Sequence, residues 1–268
     1  MRPVRIADPD DPRVALYRSV REPELLRDHG VFLAESRLVV QRLLEQSRFA
    51  TRSVLVTPAA HAALDDLLDA APCPVFLAER DLFDHLAGFD IHRGCLAIAE
   101  RGQPVALDEL LAGRGPLVIL ERVGNPDNVG GVFRNAAALG AAGVVLSPGC
   151  GDPLYRKAIR TSMGAVLTLP FVTLDDWPGP LEALRSHGWA LVALTPAGDV
   201  PGIATLAPDL RPRRVALLLG HEGEGLSSEA ATLAHARARI PMRTGIDSLN
   251  VAAAAAIALY ELGRSNLP

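Results

Sequence analysis

From Pro116 onward the chain repeats one pattern: a short apolar run, a turn, a helical stretch, another apolar run. The runs are PLVILE (116–121), GVVLS (143–147), LPFVTL (169–174), WALVALT (189–195), RVALLLG (214–220) and ARIPM (238–242). Helical patterns fill the gaps from about Asn128 to Leu139, over 154–163 and over 180–187. Continuous apolar strands interleaved with helices bury both faces of a sheet, which is the habit of parallel strands joined by crossovers. The pattern therefore predicts an α/β fold with a mostly parallel sheet. The last run leads into IPMRTGIDSLNVAAAAAIALYE, Ile240 to Glu261. Its alanines have the highest helix propensity available, and Ser248 is the predicted N-cap. A helix start flanked by Ser248 and Asn250 suits a small ligand or anion. Read without a function, it is a capped, buried helix.

Residues 1–100 mix strand and helix patterns. SVLVT (53–57), PVFLA (74–78) and HRGCLAIAE (92–100) read as strands, and Leu38, Val39, Leu43 and Leu44 fall at helical spacing. RGQPVALDELLAGRG (101–115) mixes Gly, Pro and charge and reads as a linker. Two domains are expected, 1–105 and 115–268, within the range that 268 residues allow.

Composition narrows the function classes. Aromatic residues make up 4% of the chain, which disfavours base stacking on an aromatic sheet. The net charge is −4, against a basic footprint over the whole protein. A local patch is still present: ten arginines against eight acids in residues 1–52. Lys157 is the only lysine. Cys73, Cys95 and Cys150 are odd in number and widely spaced, as expected for a reducing compartment and no structural zinc. MRPVRIADPDDPR has no apolar secretory core. The low-charge run Leu249 to Tyr260 is too short to span a bilayer. A soluble cytoplasmic protein, with no membrane partner, is the expectation.

Two further segments bear on chemistry. In ERVGNPDNVGGVFRNAAALGAAGVVL (Glu121 to Leu146) a strand opens into a helix, with Asn128 and Gly130-Gly131 at the junction and Arg134 further along. Ligands of open α/β sheets bind at such strand ends. In LLLGHEGEGLS (Leu217 to Ser227) a strand runs into Gly220, Gly223 and Gly225 with Glu222 and Glu224 between them. Glycines there allow close backbone approach, while the acids disfavour a phosphate. Neither segment offers a strand-linked GxGxxG with a ribose-binding acid about twenty residues later, so a nicotinamide enzyme is disfavoured. His221 reads as a loop residue, not as a metal ligand.

Taken in order, NPDNVGGVFRNAAALGA, LLLGHEGEGLS and IPMRTGIDSLNVAAAAAIALYE resemble the three motifs of the SpoU-type (TrmH-like) 2′-O-ribose RNA methyltransferases of the SPOUT superfamily, across about 116–268. RKAIRTSMGAVLTLP (156–170) is also similar to the family. The family often carries a serine where Ala252 stands. The resemblance implies methyl transfer from S-adenosylmethionine to a ribose 2′-hydroxyl of ribosomal or transfer RNA. It implies a deep trefoil knot in the C-terminal α/β domain, where the residue pattern alone would suggest a Rossmann-like sheet. It implies a homodimer with the site near the dimer interface.

The resemblance also carries site residues. It places the cofactor against Gly220, Ile240 and Leu249, with Leu219, Glu222 and Met242 nearby. It places Asn128, Arg134, Glu222, Ser248 and Asn250 at the reacting end. Arg134 is the family's candidate base, but a guanidinium stays protonated. Phosphate binding and alkoxide stabilisation suit it better. Asn128 would orient the ribose or Arg134, and Glu222 would orient Arg134 or relay the proton. No metal is required. FLAESRLVVQRLLE (32–45) and FDIHRGCLAIAER (89–101) resemble the small α/β RNA-binding domain that precedes many of these catalytic domains, although Glu35-Ser36 stands where the family usually has Glu-Gly. Dimerisation or stability is the other role for residues 1–100. A catalytically inactive RNA-binding protein of the same fold is the rival function, and it would have lost the polar set.

Overall fold

The computed structural model describes residues 2–18, 22–88 and 94–263. The chain forms two compact units: residues up to Pro104 together with Leu154–Thr168, and Val105–Pro153 together with Leu169 onward.

The first unit is built on a five-stranded mixed sheet. Its strands are β1 (Val4–Ile6), β2 (Val31–Glu35), β3 (Thr51–Val56), β4 (Val75–Ala78) and β5 (Cys95–Glu100), in the order β1-β4-β3-β5-β2. β4 pairs parallel with β1 and β3, while β5 runs antiparallel to β3 and β2. Leu33, Leu55, Phe76, Leu96 and Ile98 are buried in its core. Sequence periodicity marks the helix that follows β2, while β1 and β2 are strands beyond the three expected in this region. Phe89 to Arg93, the start of one family-like segment, lie outside the described residues.

The helix Arg37–Gln46 leaves β2 through Ser36, whose φ is 87° and ψ 150°. That region is open almost only to glycine, so the Ser36 departure from the family has a backbone cost. The segment 154–168 is embedded in this unit, although its sequence lies within the second motif-bearing half. The Arg156 backbone N–H donates to Glu22 Oε1 at 3.0 Å, and its guanidinium approaches Glu22 and Glu35 at 3.5 and 3.4 Å. Arg42 donates to the Met163 carbonyl at 2.7 Å. Burial pushes the Glu22 carboxyl above its ordinary range against the opposing pull of Arg156.

The second unit carries six strands: β6 (Leu117–Leu120), β7 (Gly143–Leu146), β8 (Phe171–Thr173), β9 (Trp189–Leu194), β10 (Arg214–Leu219) and β11 (Ala236–Ala238). Their order is β11-β9-β10-β6-β7-β8, and every pair is parallel. β6 and β7 are buried along their whole length, as the continuous apolar runs require. Two sequence expectations shift here. The stretch read as a linker contains the helix Leu107–Ala112, whose Leu110 and Leu111 are buried in the core of this unit. The strand expected over 238–242 ends at Ala238, with Arg239 making only an isolated bridge to Gly202. Pro241 has no N–H to extend the ladder, and Ile240 and Met242 line a cavity instead.

Replacing Ser36 by glycine should raise stability by about 1 kcal/mol, because relief of the strained dihedrals outweighs the extra freedom of the unfolded chain. A urea midpoint unchanged or lowered in Ser36→Gly would contradict this.

Candidate active site

A cavity of about 510 Å³ opens at the carboxyl ends of β9, β10 and β11, where open α/β sheets bind ligands. All six predicted cofactor residues line it: Leu219, Gly220, Glu222, Ile240, Met242 and Leu249. Ser248 lines it too. Thr195, Arg237 and Asp247 also line it, beyond the residues the motifs suggest. Nothing in their local sequence marks them, because the fold alone brings three strand ends together.

The loop after β10 turns back on itself. A Cβ on Gly220 would stand 2.2 Å from the Gly225 carbonyl carbon, so no side chain fits there. Gly225 has φ +72° and exchanges backbone hydrogen bonds with His221 at 2.9 and 3.1 Å. His221 Nδ1 accepts from the Gly223 and Glu224 N–H groups at 3.0 and 3.2 Å. The imidazole therefore shapes its own loop. Glu224 pairs with Arg122 at 2.8 Å.

Helix Pro126–Ala138 starts one turn after β6, capped by Asn125, whose Oδ1 accepts from Asp127 N–H at 2.9 Å. Asn128 is thereby placed in the first turn, where it is buried. Helix Val251–Gly263 is capped by Asn250, not by Ser248 as its sequence suggested. Asn250 Oδ1 accepts from Ala252 and Ala253 N–H at 2.9 and 3.4 Å. Ser248 lies too far before Val251 to reach those groups. Its hydroxyl has no hydrogen-bond partner among the described residues and stands at the cavity.

Asn250 Nδ2 points the other way. It donates to Asn128 Oδ1 at 2.8 Å and to Glu222 Oε1 at 3.3 Å. One amide thus joins all three motif segments. The two helices that carry Asn128 and Asn250 cross closely: a Cβ on Gly131 would stand 2.8 Å from Ala252 Cβ. Asn135 Nδ2 donates to the Ala252 carbonyl at 2.7 Å. The small Ala252 suits this crossing.

Arg134 is not brought to the cavity. It is exposed on helix Pro126–Ala138, makes no hydrogen bond or ion pair among the described residues, and does not line the pocket. Glu222 and Asn128 both contact Asn250, and neither is hydrogen-bonded to Arg134. Sequence reasoning also passed over Glu121. It is 1% exposed, and an acid closing the apolar run PLVIL was the available signal. Among the described residues, no group of His, Cys, Asp and Glu could hold a metal ion.

The model of the SpoU rRNA Methylase family matches residues 115–260, and those residues contain the whole cavity and the Asn250 junction. The chain belongs to that family. An uncharacterized tRNA/rRNA methyltransferase of Mycobacterium bovis is 40% identical over 97% of this chain and 91% of its own length. The 23S rRNA (adenosine(1067)-2′-O)-methyltransferase of Streptomyces azureus is 27% identical over 98% and 96%. Among solved structures, an AdoMet-bound rRNA methyltransferase from Sinorhizobium meliloti superposes with a TM-score of 0.82 at 26% identity, covering 98% of both chains. The SpoU assignment accounts for the order of the three segments that Asn250 ties together.

Asn250→Asp separates the two jobs of this side chain. The aspartate still caps the helix, but it places a carboxylate against Asn128 Oδ1 and Glu222. Melting should fall little, while methyl transfer should drop by about one to two orders of magnitude, the equivalent of 1–3 kcal/mol for one unsatisfied buried acceptor. Equal losses of stability and rate would show that the junction serves only the fold.

Proposed function

We propose that this protein methylates ribose 2′-hydroxyls of RNA with S-adenosylmethionine as donor. The observation that carries the reading is the Asn250 junction, which gathers Asn128 and Glu222 beside a cavity walled by Leu219, Ile240, Met242 and Leu249. The names of the Streptomyces azureus and Sinorhizobium meliloti proteins support the same chemistry. The residues fit this cofactor. Leu219, Ile240, Met242 and Leu249 give apolar wall, and Gly220 leaves the backbone bare. Glu222 and Asp247 outnumber Arg237 in the lining, Glu224 being paired with Arg122, which favours a cationic ligand over a phosphate. An inactive binding protein is disfavoured, since Asn128, Glu222 and Asn250 are joined by hydrogen bonds and Ser248 stands at the same cavity.

The bound cofactor supplies an activated methyl group, so positioning does much of the catalysis. Asn250 holds the rim in shape. Glu222, bonded to it, is the carboxylate assigned to the proton. Ser248 offers an unengaged hydroxyl to the cofactor or ribose. Arg134, exposed on helix Pro126–Ala138 and outside the cavity lining, is assigned to the phosphate beside the target ribose.

The finer features are part of the same proposal. The trefoil knot is supported by the family resemblance. The homodimer is supported by Ala253, Ile257 and Tyr260, an exposed apolar stripe at helical spacing on helix Val251–Gly263. A cytoplasmic location fits the RNA substrate, and no described helix is long and apolar enough to cross a membrane. In the first unit, Lys157 and Arg160 stand exposed on helix Arg156–Thr161. With the arginines of residues 1–52 they form the proposed RNA-phosphate surface.

Calorimetry should show S-adenosylmethionine binding that a chelator leaves unchanged; no binding even with RNA present would overturn the cofactor assignment. Arg134→Ala should abolish transfer and leave that binding intact, because Arg134 is outside the cavity. Arg134→Lys should also fail, since a point charge does not replace a bidentate fork; near-parental turnover would refute the phosphate clamp. Lys157→Glu with Arg160→Glu should weaken RNA binding and flatten its salt dependence by roughly two phosphate contacts. An unchanged slope would remove this face from the RNA surface.

A further inference from the structure

We propose that Glu121 is the positioning residue of the cofactor loop, a role that rests on the cofactor reading above. Glu121 follows β6 directly. Its backbone N–H donates to the Leu219 carbonyl at 2.8 Å, at the last residue before the loop. Its side chain reaches past the loop: Oε2 accepts from the Ser227 N–H at 2.9 Å. Ser227 in turn caps helix Ser228–Leu233, its Oγ accepting from Ala230 N–H at 3.2 Å. One residue therefore pins both ends of Gly220–Leu226, the segment that forms a wall of the cavity and carries Glu222 to Asn250.

The second carboxyl oxygen decides how tight this clamp is. Oε1 accepts from the Trp177 indole N–H at 2.6 Å. Glu121 is 1% exposed and has no ion-pair partner among the described residues. Both oxygens are thus matched to N–H donors in a site closed to water, and water cannot replace either bond. Glu121 does not itself line the cavity. It acts through the loop, not on the reacting atoms. The loop has little slack to absorb a slip at either end, because Gly220 is packed against Gly225 and Leu226.

Glutamine is the discriminating substitution. It keeps the shape of the side chain but turns one acceptor into an NH₂ group, which must face either the indole N–H or the Ser227 N–H. In full-length Glu121→Gln, the dissociation constant and KM for S-adenosylmethionine should rise on the order of tenfold, as expected for one buried donor left facing a donor. RNA affinity should not change. The double variant Glu121→Gln with Trp177→Phe removes the indole donor, so the amide can turn its oxygen to Ser227. Cofactor binding should return to within a few-fold of the parent. Amide exchange over 220–227, measured with no ligand, should speed up in the single variant and slow again in the double.

Parental cofactor affinity and exchange in Glu121→Gln would overturn the proposal. So would a double variant as impaired as the single one, which would indicate a purely structural site. If the parent protein bound no S-adenosylmethionine, the cofactor reading would fail on its own, while the exchange measurement would still decide whether Glu121 holds the loop.

Discussion

The site depends on one carboxamide with two unlike ends. Asn250 Oδ1 takes the N–H groups that helix Val251–Gly263 leaves unpaired, and its Nδ2 takes the oxygens of Asn128 and Glu222. A carboxylate has no donor for the second task, and a hydroxyl is too short to serve both sides. Capping the helix and assembling the site are therefore a single event. The close crossing of Gly131 over Ala252 and the Asn135 bond to the Ala252 carbonyl hold the two helices at the spacing the amide needs.

The cavity follows from the sheet. Parallel strands send all their carboxyl ends to one side, so the loops after β9, β10 and β11 have to share one space. The walls of that space are apolar because the residues entering it still belong to the apolar runs or follow them closely. Its polar character comes from the β10 loop, where His221 and the glycines fold the backbone tightly enough to expose Glu222 and Glu224 at the rim. Glu121 sits behind that loop and Asn250 in front of it, so the loop is bonded from two directions.

The first unit tolerates strain at Ser36 because both neighbouring elements are anchored. The Ser36 N–H donates to the Cys95 carbonyl at 3.1 Å, and its own carbonyl accepts from Val40 N–H at 2.9 Å. The same region receives the 154–168 segment, held by Arg156 between Glu22 and Glu35 and by Arg42 on the Met163 carbonyl. A strand-helix pattern read along the chain assigns that segment to the second unit. Its buried Ala158 and Ile159 and the ion pairs of Arg156 place it in the first.

Local physics was legible in the residues themselves. The apolar runs of 116–220 announced parallel strands, since burial on both faces leaves no alternation. The alanines after Asn250 announced a helix, and Gly220 a close backbone approach. The three motif segments were also readable in order, and with them six residues expected at the cofactor, all of which line the cavity. What remained hidden depended on partners distant in the chain. Ser248 and Asn250 are both good caps by residue type, and only the position of the helix start, set by packing against helix Pro126–Ala138, chose Asn250. The linker-like 101–115 became a helix because Leu110 and Leu111 found a core to enter. Arg134 lies in a motif, yet it is exposed on its helix and is not part of the cavity lining. Glu121 looked like an acid ending a strand, and only Ser227 and Trp177, brought from 106 and 56 residues away, make it a clamp. Propensity and periodicity act over a few residues and could be read directly, whereas these pairings exist only once the chain has closed on itself.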